Sequence, residues 1–167
     1  MKNYFNILIS SFLLLCFGCS KPGGDIVLVN ADTAYFIFGH FYGECSGEQC
    51  IETFKLQGGK LFEDSNDIYG LAVAASPNPY QGNFQELDQS IFEEVTGLEN
   101  EIPAELFFEL DTVIGQPDAG DWGGFYIEHY DGTTVRKWAI DTAESNIPQY
   151  LHDFNKKIAE AIFNINN

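Results

Sequence analysis

Basic residues are scarce in this sequence: eight Lys and Arg stand against 25 Asp and Glu, for a net charge of −17. A polyanionic partner needs a Lys/Arg footprint to displace its counterions, so nucleic acid is excluded as a partner. The same balance argues against lying flat on anionic lipid. The acids are scattered rather than blocked, which suits a solvated coat and leaves cations or basic proteins as the complementary partners. Also missing is any apolar run of the ~20 residues that span a bilayer. No G-x-S-x-G, H-E-x-x-H or Gly-rich phosphate loop occurs, and no spaced pair of carboxylates has a context that suggests acid–base work. The sequence implies no cofactor.

What is present begins with "MKNYFNILISSFLLLCFGCS". Lys2 supplies a short positive region, and Ile7 to Phe17 is apolar apart from Ser10 and Ser11, the length of a signal-peptide core. Small Gly18 then precedes Cys19. This stretch resembles the lipobox of bacterial lipoproteins, with Cys16 standing where an apolar residue such as Leu is usual. Taking Cys16 as the acceptor instead would put bulky Leu15 at the cleavage position. The resemblance implies cleavage before Cys19, a diacylglyceryl thioether on its sulfur and an acylated amine. Several such chains hold a domain on a membrane firmly. Ser20 follows the cysteine in place of the Asp that commonly retains lipoproteins at the inner membrane, so the expected address is the outer membrane, facing the periplasm or the exterior. Residues 1–18 are thus expected to be a leader, 19–32 a lipidated cysteine and Pro/Gly tether, and 33–167 one domain large enough for its own core.

Within that domain the first pattern is strand-like. "TAYFIFGHFY" (33–42) is too uniformly apolar to alternate cleanly, as a central strand should be. "CIETFKL" and "LFED" follow around "QGGK", where Gly58-Gly59 supplies the positive φ that a two-residue hairpin turn needs. These three form an antiparallel meander over 33–64. Residues 65–83 read as a loop, with room for a short strand at "LAVAA". Phe84, Leu87, Ile91, Phe92 and Val95 fall on one stripe of a 3.6-residue period and predict a helix that Gly97 stops. Pro103 opens a short helix through "AELFFEL". A loop over 114–124 leads to a second hairpin, "FYIEHY" and "TVRKWAI", turning at Asp131-Gly132. Ile147, Tyr150, Leu151, Phe154, Ile158, Ala161, Ile162 and Ile165 then mark one face of a long C-terminal helix. The expectation is an α+β domain: an antiparallel sheet of about five strands with helices on one face.

Cys45 and Cys50 bracket "SGEQ" in the first connection of that meander. Outside the cytoplasm paired thiols oxidise and persist as disulfides. The four intervening residues suit a turn that would bring two strand ends to bridging distance. Zinc would need further ligands such as His40 or Glu44 and usually a second cysteine pair. Catalytic redox pairs are spaced C-x-x-C at a helix start. A structural disulfide is the reading that fits. Closing so small a loop is worth roughly 2 kcal/mol.

Oxygen-rich loops raise calcium as a second chemistry. "DSNDIYG" (64–70) has Tyr69 where the calcium loop of a helix–loop–helix site requires glycine, and Ala75 where it requires a bidentate Glu. "PDAGDW" offers Asp118 and Asp121, short of a full ligand set and equally explained as turn residues bonding their own backbone. His129 and Glu128 are neighbours on a strand and must point to opposite faces.

"YGECSGEQC" (42–50), "PDAGDWGGFYIE" (117–128), and "WAIDT" followed by "IPQYLHDF" together resemble small Gram-negative lipoproteins with a domain of unknown function. Those carry a glycine–cysteine hairpin near the start and end in a tryptophan strand before a helix. The resemblance implies kinship of fold and transfers no catalytic residue. The function expected is that of a membrane-anchored envelope lipoprotein whose domain binds a protein or a small ligand. The alternative is a metal-dependent or other envelope enzyme with its site in the 65–83 and 114–124 loops.

Overall fold

A computed structural model describes residues 33–167. The leader, Cys19 and the tether lie outside the described residues. The strands are β1 (Tyr35–Phe41), β2 (Ile51–Gln57), β3 (Lys60–Asp64), β4 (Phe84–Glu86), β5 (Val113–Ile114), β6 (Gly124–Tyr130) and β7 (Val135–Asp141), and the helices are α1 (Gly70–Ala75), α2 (Gln89–Val95) and α3 (His152–Ile165). All seven strands join one sheet in the order β4-β3-β2-β1-β6-β7-β5. Every pair is antiparallel except β5 with β7, which runs parallel. The expected antiparallel sheet of about five strands is therefore a mixed sheet of seven.

The meander and the second hairpin form as their sequences dictate. Gly58 and Gly59 both adopt positive φ, 59° and 74°, and turn β2 into β3. Asp131 Oδ1 accepts from the backbone N–H of Thr133 and Thr134, and so fixes the turn between β6 and β7. Apolar β1 lies at the centre, paired on both sides, because only a strand covered on both faces can be apolar at successive positions.

On one face Phe36, Phe38, Phe54, Leu56, Ile127, Trp138 and Ile140 meet α3, whose Phe154, Ile158 and Ile162 are all buried, together with Leu151 of the 3-10 turn that leads into it, Val95 of α2 and Leu106 of another 3-10 turn. The opposite face carries Ile37, Phe41, Tyr126 and Ala139 beneath α1 and Tyr80. Helices on one face only was thus too simple, for α1 covers the other. Gly70, its first residue, lets it sit there: a Cβ would fall 2.4 Å from the Phe41 ring and 2.9 Å from Tyr126 Cβ.

Three local expectations change. "GLAVAA" is a helix, not a strand, since a short apolar run has no decisive period and Ala and Leu favour the helix once a face is available to cover. Phe84 belongs to β4 and not to the helix stripe. The free edge of β3 needs hydrogen-bond partners, and Phe84–Glu86 supplies them before α2 begins at Gln89. "AELFF" forms a 3-10 turn from Ala104 to Phe108. Among the described residues no helix is long and apolar enough to cross a membrane.

Candidate functional site

Polar chemistry concentrates on the sheet face that α1 and the 65–83 segment cover. Tyr126 and Glu128 alternate with apolar neighbours along β6 and so share that face, joined by Tyr35 from β1. Glu128 is fully buried, with 0% of its surface exposed. Its carboxylate accepts from Tyr35 Oη at 2.8 Å, Tyr126 Oη at 2.5 Å and the Tyr80 backbone N–H at 3.0 and 3.2 Å. Tyr80 Oη in turn donates to Asp64 Oδ2 at 2.5 Å, while Asn83 N donates to Asp64 Oδ1. Burial, reinforced by the adjoining carboxylates, pushes the phenols of Tyr35, Tyr80 and Tyr126 well above the ordinary tyrosine range. They therefore remain protonated donors at neutral pH and cannot act as bases. The cluster clasps the 65–83 segment to the sheet.

Lys137 lies directly across from Glu128 on β7. Its Nζ donates to the carbonyls of Val73 and Asn78, tying the same segment down from the other side. Lys55 on β2 shares this face but makes different contacts. Its Nζ lies 4.2 Å from the centroid of the Phe84 ring and 5.1 Å from that of Phe62.

A second concave region, of about 590 Å³, opens at the end of the sheet where β1 leaves for β2. Tyr42, the Cys45–Cys50 bridge, Asp67, Tyr69 and Asp121 line it. Cys45 and Cys50 are disulfide-bonded, as their spacing predicts, with Cα atoms 5.6 Å apart. The bridge closes the connecting loop, with Cys45 off the sheet and Cys50 ending a 3-10 turn just before β2. Tyr42 N donates to Cys50 O at 2.9 Å and completes the closure. His40, weighed as a metal ligand, instead places Nε2 3.0 Å from Gln49 O.

Asp118 and Asp121 both adopt a left-handed backbone, with φ of 63°. Asp118 holds three segments together: Oδ2 accepts from Gly43 N at 2.8 Å and Tyr69 Oη at 2.5 Å, and Oδ1 accepts from Gly123 N at 3.1 Å. Burial and the Asp118 bond push Tyr69 up to about 12. The 65–83 and 114–124 loops do meet here, but at a carboxylate already engaged by protein donors. Among the described residues, no three His, Cys, Asp or Glu side chains converge as a metal site would require.

His129 and Glu128 point to opposite faces as strand geometry demands. His129 meets the Phe107 ring edge-on, and burial lowers its pKa. The sequence reading missed Tyr35, Lys55, Asp64 and Tyr80. A signal existed for one of these: Lys55, like Glu128, is a charged residue within a strand otherwise rich in apolar and aromatic side chains.

One further surface stands out. Phe108 and Leu110 are 81% and 96% exposed, and Val113 of edge strand β5 is also exposed. Glu105, Glu109 and Asp111 are interspersed with them in the chain. Arg136, the one arginine of the sequence, is engaged by the carbonyls of Phe107 and Glu109.

No protein-family model, curated protein or solved structure matches this chain.

Proposed function

We propose that this chain is an envelope lipoprotein, anchored to the outer membrane through Cys19, whose domain binds a protein partner and does not catalyse a reaction. The exposure of Phe108 and Leu110 carries the binding half of this reading. Large apolar side chains left in water beside a sheet edge mark interaction sites more often than isolated surface residues do. Their acidic flanks complement a partner that is apolar at its centre and basic at its rim. The Cys45–Cys50 bridge supports the extracytoplasmic half, because such bonds persist in oxidising compartments.

The test is site-specific photocrosslinking from position 108 in native envelopes, alongside mass spectrometry of the mature N-terminus. A discrete protein adduct that Leu110→Ser removes is the expected result. A non-acylated N-terminus refutes the anchor, and absence of any specific adduct refutes the docking surface.

A second reading, an envelope enzyme at the junction of the 65–83 and 114–124 loops, rests on the Tyr69–Asp118 contact that brings the two loops together. Stoichiometric metal in the purified chain, lost with Asp121→Ala, would establish it over the first.

A further inference from the structure

Every other basic side chain among the described residues is held by oxygen. Lys60 pairs with Glu86 at 2.7 Å, Lys156 with Glu144 at 3.1 Å and Lys157 with Glu101 at 2.5 Å. Lys137 and Arg136 each donate to two backbone carbonyls. Lys55 alone makes no hydrogen bond or ion pair with the described residues, although the molecule carries a large excess of carboxylates. Its Nζ lies instead over two aromatic rings, Phe84 and Phe62. An ammonium over ring faces is attracted to them but still needs acceptors for its N–H groups.

This amine lines a cavity of about 280 Å³. The other walls include Tyr35, Ile37, Gln57, Tyr80 and Phe84. The lining mixes these aromatic and apolar side chains with Thr33 and the amides of Gln57 and Gln81, and the lysine is its one charge. The nearby carboxylates of Glu128 and Asp64 are turned to other donors: Tyr35, Tyr126 and Tyr80 for the first, Tyr80 and Asn83 for the second. The cavity is thus a small slot with aromatic walls, polar side chains at Thr33, Gln57 and Gln81 and one unused cation, in a protein whose surface repels anions.

We infer that the Lys55 cavity is a binding site for a small monocarboxylate with a flat apolar body, the carboxylate pairing with Nζ and the body lying among Tyr35, Ile37, Tyr80 and Phe84. One cation balances one charge, so a dianion such as phosphate would enter with uncompensated charge and meet the acidic field around it. The volume is at the low end for ligand cavities and limits the guest to a compact molecule. Burial lowers the pKa of Lys55, and an anion seated beside it would raise it again by favouring the charged form.

The experiment uses the full chain with lysine side chains labelled for NMR, and benzoate as the probe. Expected is saturable movement of the Lys55 side-chain signal with a rise in its pKa, and weakening of benzoate binding by about tenfold or more in Lys55→Met, the loss typical of a charge-assisted hydrogen bond. Lys60→Met should bind as the parent does, and benzamide, the neutral isostere, should bind far more weakly. Lys55→Gln serves in place of Lys55→Met if the latter does not fold. The inference is overturned if benzoate fails to saturate the Lys55 signal, if removal of the amine leaves the affinity unchanged, or if inorganic phosphate binds more tightly than benzoate. None of these outcomes bears on the Phe108–Leu110 surface.

Discussion

The backbone N–H of Tyr80 donates to both carboxylate oxygens of Glu128, at 3.0 and 3.2 Å, although the two residues stand 48 positions apart. Through that contact a strand in the middle of the sheet holds the irregular segment above it.

Glu128→Gln should accordingly lower stability by about 2–4 kcal/mol, since an amide replaces one acceptor with a donor facing the buried Tyr35, Tyr126 and Tyr80 donors. Urea unfolding reads this as a fall in the midpoint at unchanged slope. Tyr80→Phe keeps the backbone contact and loses the hydroxyl's bonds to Asp64 and from the Ile68 N–H, so its cost should be smaller, about 1–2 kcal/mol. Equal costs for the two variants would show that the Glu128 carboxylate is not the anchor.

The disulfide should be worth about 2 kcal/mol, because it closes a short loop and leaves the core untouched. The Cys45→Ser, Cys50→Ser double variant should fold with a lower melting temperature. In the parent chain, denatured without reductant, neither of these two cysteines should react with a thiol reagent.

Asp141 predicts the acid limb of stability. Burial alone would raise its pKa, but the N–H groups of Ala143 and Gln116 and the Asn146 amide more than offset that and hold it below the ordinary carboxylate value. A carboxylate with a depressed folded pKa contributes stability that is fully present above its unfolded pKa of about 4 and is lost as pH falls through the folded one. Asp141→Asn should therefore be less stable than the parent at pH 7 and lose less on acidification below about pH 4. Parallel pH–stability curves for the two proteins would contradict this.

Phe108 and Leu110 should be dispensable for folding. The double change to Ser should move the unfolding free energy by no more than about 0.5 kcal/mol, as surface substitutions do. A larger loss in chemical denaturation would mean that these side chains support the core and are not held ready for a partner.

Elements whose stabilising contacts are local were legible in the sequence. Gly58-Gly59 specifies its own turn, and the apolar stripe of α3 announces its buried face. The Cys45–Cys50 bridge followed from spacing and expected compartment together. β4, β5 and α1 were not legible, because each exists through something distant. β4 answers the open edge of β3, two-residue β5 pairs with β7, and α1 lies on a platform shared by Phe41 and Tyr126. The tyrosine–carboxylate cluster draws on positions 35, 64, 80, 126 and 128, and no spacing rule links them. Asp118 was seen as a possible ligand, while its partners Gly43 and Tyr69 come from loops whose meeting the sequence does not encode locally.

The two borders of the sheet are its shortest strands, three residues in β4 and two in β5. A neighbouring copy seeking to extend the sheet would find only a short ladder on either terminal strand, and Lys60–Glu86 adds a charged pair at one of them. Many copies could stand side by side on a crowded surface without templating fibrous growth from one another. Association would then be left to side chains, which can discriminate between partners, and not to backbone, which cannot.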